Sequence, residues 1–382
     1  MNLEGRIDIL LTRHGDAPAT VSIHSTRPQL AQKLLAGRSP EEAAHLAGLV
    51  FSLCGKAQRV AAEAACEAAQ GQIPDAAASR ARETAVLLEL AQEHAWRLLL
   101  DWPQQQGMPP DQASQLRLRQ SAADPLRFAE TLDDLLLTTL LGEPANLWLG
   151  RDLAGFDAWR HAGGTATARL FAGLGEGADS GISEVDLLPP LGNLEEGEAH
   201  ELARQALEHP AFCGQPLWHG APAETGALAR VHEQPLLAAW IARRGRGAGA
   251  RLLARLLELA ELPTRLSDLG SAGIPAGSPV SGKAAGKDAG ATGVRAWSLG
   301  DNSGLAAVET SRGLLLHMVR LRESKVAEYR IVAPTEWNFH PAGPLFQALS
   351  GLAPGDGLEA RARLVAQSLD PCVAFGIEVK DA

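Results

Sequence analysis

Cysteine is the residue type whose placement most clearly suggests chemistry in this chain. The four cysteines are widely spaced and form no CxxC pair: Cys54, Cys66, Cys213 and Cys372. A free cysteine is most often a buried small hydrophobe, but as a thiolate it is also a soft metal ligand. Each cysteine taken alone is more simply explained by packing. Cys66 in particular lies in an alanine-rich, helix-like run.

Two of the cysteines lie where helices are predicted to break. Cys54 stands between two helical runs, and a helix N-terminus favours thiolate over thiol. Cys372 follows Asp370-Pro371, and a residue before proline is biased away from helical geometry. These breaks would hold both cysteines in fixed turns, as a metal site requires.

Phosphoryl transfer is a second candidate chemistry. The segment LLTRHGDA resembles the Leu-x-Arg-His-Gly signature of histidine phosphatases, with His14 as phosphoryl acceptor. SRARETA, which includes Arg80, resembles the second motif of that family, and His219 offers another His-Gly pair. A nucleophilic histidine among arginines is coherent for phosphate chemistry. However, the strand ending at His14 is predicted to turn directly into another strand, and short motifs match by chance. A turn residue is the simpler interpretation, and the phosphatase stays an alternative.

The elements that would position these residues are mostly helical. Residues 5–24 read as a β-hairpin, and Ser39, Pro40 and Glu42 form a capping box and proline start for a helix. Further helices are predicted up to about residue 141 and again over residues 226–265, while residues 145–225, punctuated by proline and glycine, receive no assignment. A β-meander follows residue 293. Residues 267–293, rich in Gly, Ala and Ser, read as a flexible loop. We therefore predict an α+β fold, mostly α, with residues 1–382 as a single domain.

Composition excludes several classes of partner. Lys and Arg number 35 against 45 Asp and Glu, a net charge of -10, which disfavours nucleic acid and anionic membranes. The start of the chain has no basic segment before an apolar run, and the longest apolar stretch is interrupted by Glu143 and Pro144. The sparse cysteine usage is typical of a reducing compartment. The sequence therefore predicts a cytoplasmic protein.

An end-to-end pattern resembles the large subunit of nickel-iron hydrogenases. Six segments match motifs of that family in the same order, from residue 4 to residue 378: EGRIDILL, RPQLAQKLLAGRSPEEAAHLAGLVFSLCGKA, ETGALAR, ETSRGLLLHMV, YRIVAPTEWNFHPAGPL and DPCVAFGIEV. Six ordered matches are far more specific than any one of them. The resemblance implies a large-subunit-like helical bundle with small β elements contributed near both ends.

The departures from the family pattern concern the nickel site. The family holds nickel and iron with two CxxC pairs, whereas this chain has Ala57 and Phe375 at the second positions of those pairs. The family's terminal histidine is Glu378 here. Because nickel in that site needs four thiolates as soft ligands, we expect no nickel and no turnover of hydrogen.

The surroundings of the iron, by contrast, match the family. The resemblance implies that Arg312, Pro334 and Thr335 surround an Fe(CN)2(CO) unit. Cys54 and Cys372 stand at positions that match the ligand motifs, and they are the candidate iron ligands. A guanidinium and a hydroxyl are suitable hydrogen-bond donors to anionic cyanide. His317 is expected only to pack inside the meander.

A chain with this combination resembles the HupK/HoxV-type hydrogenase maturation proteins. That resemblance implies a non-enzymatic scaffold, which binds the Fe(CN)2(CO) precursor transiently and transfers it to a hydrogenase large subunit. A small HypC-like maturation chaperone is the other expected partner. A metal-free structural partner of the assembly machinery is the remaining alternative.

Overall fold

Helices dominate the computed structural model, which describes residues 5–174, 180–271 and 293–382. Short 3-10 turns at Ser52–Cys54, Leu191–Asn193 and Pro210–Cys213, and π-helical turns at Arg97–Asp101 and Leu136–Leu140, join some of them. The α-helices are α1 Ala31–Leu35, α2 Pro40–Val50, α3 Gly55–Ala69, α4 Ala76–Trp96, α5 Trp102–Gln105, α6 Gln112–Ser121, α7 Pro125–Leu135, α8 Ala145–Leu149, α9 Leu153–Ala162, α10 Ala166–Gly173, α11 Glu196–Glu208, α12 Ala227–Val231, α13 Pro235–Arg244, α14 Ala248–Ser271, α15 Pro334–Asn338, α16 Pro344–Ser350 and α17 Leu358–Ser368.

The strands in the described part of the chain form three small sheets. The strands are β1 Ile7–His14, β2 Ala17–Ser25, β3 Asp186–Leu187, β4 Ala223–Glu224, β5 Val294–Gly300, β6 Ser303–Thr310, β7 Gly313–Arg322, β8 Lys325–Val332 and β9 Phe375–Asp381. The predicted hairpin is confirmed as the antiparallel pair β1–β2. The mostly helical α+β fold is confirmed as well.

The two ends of the chain share one sheet. Its strand order is β2-β1-β9, and β9 runs parallel to β1 with Ile7 opposite Phe375. Apolar side chains of β1, such as Ile7 and Leu11, are fully buried against α16 and α17. This pairing fixes the position of Cys372, which lies three residues before β9, and confirms that both ends contribute β structure.

The meander β5-β6-β7-β8 is antiparallel throughout and covered on both faces. Helices α2 and α3 pack on one face, and α11 packs on the other. Every residue of β6 is therefore buried. The contact with α3 requires glycine at position 304, since a Cβ there would lie 2.2 Å from the Ala65 carbonyl oxygen.

A further hydrophobic core lies between helices. Helix α14 is its centre, with α4, α7, α12 and α13 packed around it, and its side chains from Leu252 to Leu262 are nearly all buried. Packing of Leu266 and Leu269 against this core extends α14 to Ser271. The predicted start of the loop at residue 267 is therefore wrong. The rest of that predicted loop, residues 272–292, lies outside the described residues.

Helix starts follow the sequence signals. Ser39 accepts a hydrogen bond from the Glu42 N–H, and the Glu42 carboxylate accepts one from the Ser39 N–H, so the predicted capping box before α2 is confirmed.

None of the helices described is long and apolar enough to cross a membrane.

Candidate functional site

One pocket brings together all five residues that the sequence analysis assigned to an iron site. Cys54, Cys372, Arg312, Pro334 and Thr335 line it. They come from four separate stretches of the chain. The remaining lining is mainly apolar, and consists of Arg27, Pro28, Val50, Phe51, Leu53, Gln58, Thr310, Ala333 and Val373. The cavity volume is about 60 Å³. Since a water-sized group needs about 10–15 Å³ on this scale, the pocket accommodates a few diatomic-sized groups.

Cys54 enters the pocket from the break between α2 and α3. It ends the 3-10 turn and is the N-cap residue of α3. The break is tight, because a Cβ on Gly55 would lie 2.6 Å from the Gly48 carbonyl oxygen. Glycine at position 55 therefore lets the two helices approach each other and fixes the cysteine at their junction.

Cys372 is held by Thr335. The Thr335 hydroxyl donates to Cys372 Sγ at 3.0 Å and accepts from the Cys372 N–H at 3.2 Å. Thr335 lies in the first turn of α15, directly after Pro334. The single hydroxyl proton is directed at the sulfur in this arrangement, so the hydroxyl orients a candidate ligand. The cyanide contact expected for Thr335 remains a prediction.

Arg312 occupies the turn between β6 and β7 and is 3% exposed. Its Nη2 donates to a Glu93 carboxylate oxygen at 2.7 Å, and its Nε lies 3.6 Å from Asp370 Oδ1. Within the described ranges, Nη1 has no hydrogen-bond partner. Because Arg312 also lines the pocket, this buried and unpartnered guanidinium N–H fits an anionic acceptor such as cyanide.

Asp370 joins the arginines behind the pocket. Its carboxylate contacts Arg255 at 3.0 Å and Arg97 at 2.5 Å, besides Arg312. Burial alone would raise the pKa of Asp370, but the three guanidinium groups outweigh it and hold the pKa well below its usual range. Asp370 also has a positive φ of 55°. This clamped residue follows the C-terminal end of α17 and lies in the turn that carries Cys372.

The pocket favours the thiol form of Cys54. Its pKa is raised to about 12, mainly by burial and also by Cys372 and Glu89, while Arg312 and Gln58 act in the opposite direction. The expectation that the helix N-terminus favours the thiolate of Cys54 is therefore wrong, because burial outweighs this effect. The Glu89 carboxylate already accepts the first N–H groups of α3, from Lys56 and Ala57. Metal binding at Cys54 must therefore displace a proton.

Sequence reasoning missed Arg27 and Gln58, two polar residues that line the pocket. Arg27 lines it and pairs with the buried Glu336 at 2.6 Å. Gln58 donates from its amide nitrogen to Cys54 Sγ at 3.5 Å. The position of Gln58, four residues after Cys54 on a predicted helix, was an available signal. No local pattern marks Arg27 as a pocket residue.

Among the described residues that line this pocket, Cys54 and Cys372 are the only His, Cys, Asp or Glu side chains. No cluster of three or more His, Cys, Asp or Glu side chains suited to a metal ion occurs in the described ranges. Cys66 and Cys213 are buried in other parts of the core, as the packing interpretation predicts for Cys66. A metal bound here would need further ligands that come with it.

The residues of the phosphatase hypothesis have separate partners. His14 pairs with Thr20 at 2.9 Å in its hairpin, and Arg13 pairs with Asp381. His219 is exposed and lies 3.6 Å from Glu198. These contacts match the hairpin-turn interpretation of His14.

Relatives cover this chain from end to end. It is 31% identical to the hydrogenase expression/formation protein HoxV of Cupriavidus necator over 401 residues, which covers 100% of this chain and 97% of HoxV. It is 32% identical to the HupK protein of Bradyrhizobium diazoefficiens over 393 residues, which covers 100% of this chain and 99% of HupK. The chain belongs to the HupK/HoxV family of hydrogenase expression/formation proteins.

The HupK/HoxV family is in turn related to hydrogenase large subunits. The family model for nickel-dependent hydrogenase matches residues 282–377. The fold resembles the reduced Ni-Fe-Se hydrogenase of Desulfomicrobium baculatum, with a TM-score of 0.59 at 15% identity over 94% of this chain and 95% of that one. The expected resemblance is confirmed. This member of the family is thus a maturation protein built on the large-subunit fold.

Proposed function

We propose that this protein binds the Fe(CN)2(CO) precursor in the Cys54–Cys372 pocket and transfers it during assembly of a nickel-iron hydrogenase large subunit. One observation carries the proposal. Two cysteines 318 positions apart by numbering (372 − 54) line one cavity together with a buried guanidinium that has an unpartnered N–H. The metal is cargo and does not stay with the protein.

Each pocket residue has a separate task in this proposal. Cys54 and Cys372 bind iron through sulfur, and Thr335 orients Cys372. Arg312 Nη1 donates to a cyanide, since a charged donor to an anionic acceptor gives a strong hydrogen bond. Apolar groups such as Pro334 and Val50 border the remaining space, and they suit a carbonyl ligand that accepts few hydrogen bonds.

The same pocket disfavours nickel and catalysis. Ala57 and Phe375 replace the two further thiols that a bimetallic site would need. The pocket therefore offers two thiols to a single metal ion, and the proposed role is non-enzymatic. A HypC-like chaperone and the large subunit are the proposed partners, because a precursor unit on two thiolates has to arrive from one protein and leave to another.

Infrared spectroscopy with an iron assay tests the proposal. The protein would be purified without oxygen from cells that make the maturation machinery, beside the variants Cys54→Ala and Cys372→Ala. Cys66→Ala and Cys213→Ala are matched controls, because both thiols are buried outside the pocket.

The expected result is bound iron with cyanide and carbonyl bands that both pocket variants lose and both controls keep. An iron-free protein without these bands would refute the cofactor-carrier role and favour a metal-free structural partner. Bands that persist in Cys372→Ala would refute the ligand assignment.

A further inference from the structure

A buried chain of hydrogen bonds ends on Cys54. Tyr329 Oη lies 2.7 Å from His317 Nδ1, and His317 Nε2 lies 2.9 Å from Gln58 Oε1. Gln58 Nε2 then lies 3.5 Å from Cys54 Sγ. Tyr329 and His317 are completely buried and Gln58 is 3% exposed. The chain links the centre of the meander to the N-terminus of α3.

The order of donors in this chain follows from protonation. Burial lowers the pKa of His317 to about 3, so the imidazole is neutral and has one N–H. If His317 Nδ1 carried the proton, the Tyr329 hydroxyl would accept that bond and its own proton would need another acceptor. Within the described ranges the structure gives that hydroxyl no second partner. A buried hydroxyl proton without an acceptor is costly.

The satisfied arrangement therefore has one direction. Tyr329 donates to His317 Nδ1, and His317 Nε2–H donates to Gln58 Oε1. This orients the Gln58 amide, because its carbonyl oxygen is engaged and its NH2 group must face Cys54. An N–H directed at sulfur stabilises a thiolate, whether the thiolate is metal-bound or free. It disfavours the thiol, because the S–H group needs an acceptor and the amide NH2 group is a donor.

We propose that Tyr329, His317 and Gln58 form a positioning chain that directs a fixed N–H donor at the Cys54 sulfur and so tunes its bond to iron. The inference rests on the proposed function, since it takes Cys54 as an iron ligand. Gln58 is the positioning residue that contacts the ligand, and His317 and Tyr329 act through it. Cys372 has a separate donor, the Thr335 hydroxyl. Each candidate ligand thus has one side-chain donor on its sulfur.

Outer groups that hydrogen-bond to metal ligands orient them and adjust their electron donation. Loss of the Gln58 N–H would leave more electron density on the Cys54 sulfur and hence on iron. Iron would then donate more strongly into the carbonyl, and the carbonyl stretching band would move to lower wavenumber.

The first test needs no iron. Nitrogen-15 NMR of histidine-labelled, metal-free protein reports the tautomer of His317, whose signals are assigned by their loss in His317→Gln. We expect the neutral Nε2–H form. An Nδ1–H form would reverse the chain and overturn the proposal. This result stands even if the wild-type protein carries no Fe(CN)2(CO); that outcome would refute the proposed function and the tuning of an iron bond, but not the N–H donor that the three residues direct at Cys54.

The second test uses the loaded protein. Gln58→Leu should shift the carbonyl band to lower wavenumber, and Tyr329→Phe should give a smaller shift in the same direction. Iron retention should fall about ten- to a hundredfold in Gln58→Leu, the usual cost of losing such a group. Gln115→Leu is the matched control, since Gln115 is a buried glutamine outside the pocket. A band in Gln58→Leu that coincides with those of wild type and control would overturn the proposal.

Discussion

Replacement of Asp370 by asparagine should destabilise the protein strongly. The side chain keeps its size but loses the charge that holds Arg97, Arg255 and Arg312 together. Arg312 retains Glu93, and Arg97 retains Asp101. Arg255 keeps the carbonyl oxygens of two residues and His94, but no carboxylate within salt-bridge distance in the described ranges. One buried guanidinium is thereby left uncompensated.

The expected loss is about 3–5 kcal/mol of unfolding free energy, the usual cost of removing one partner from a buried ion pair. The Arg255→Met/Asp370→Asn double variant should recover part of this loss, because it also removes the uncompensated charge. Urea denaturation of the wild type, both single variants and the double variant measures the coupling between the two residues. A loss below about 1 kcal/mol in Asp370→Asn, or strict additivity in the double variant, would refute the reasoning.

Three further predictions concern the pocket and its frame. Because burial raises the pKa of Cys54 to about 12, binding of Fe2+ has to displace the Cys54 proton. The affinity for Fe2+ should therefore rise about tenfold for each unit of increasing pH from this proton alone. Chelator competition measures the affinity against pH, and its slope should be smaller by one proton in Cys54→Ala. The Ala57→Cys/Phe375→Cys variant should gain bound nickel by elemental analysis, while neither single variant does. Ser39→Ala should lose about 1 kcal/mol of unfolding free energy with the capping box of α2, and an unchanged urea midpoint would contradict this.

Local signals were sufficient for much of the fold. The hairpin turns at Gly15-Asp16 between two β-rich runs, and the Ser39 capping box marks the start of a helix. Both elements could therefore be predicted from neighbouring residues. The predicted loop start at residue 267 was wrong because Leu269 packs against residues distant in sequence, which a local pattern does not show. The family resemblance predicted β elements near both ends, but the pairing of β9 with β1 was not predicted, since strand pairing across the whole chain has no local signature.

The site was only partly predictable for the same reason. Five pocket residues could be named because each stands at a motif position. His317 was assigned to packing alone, and its bonds to Gln58 and Tyr329 emerge only when α3 lies across the meander. The protonation of Cys54 was also misjudged. Its helix N-terminus is a local feature, whereas the burial that raises its pKa comes from the tertiary structure.

The proposed transfer role constrains how tightly the pocket should hold iron. A carrier has to release its cargo, and a site with two thiolates gives fewer metal–sulfur bonds to break than one with four. Release is also coupled to protons, because the Cys54 thiol with a pKa of about 12 is strongly favoured once iron leaves. Gln58 and Thr335 act against that tendency by donating to the two sulfurs. On this view, burial of Cys54 favours release and the two donors favour retention. A variant that exposes Cys54 should therefore retain iron more tightly, and a variant that removes either donor should release iron more readily.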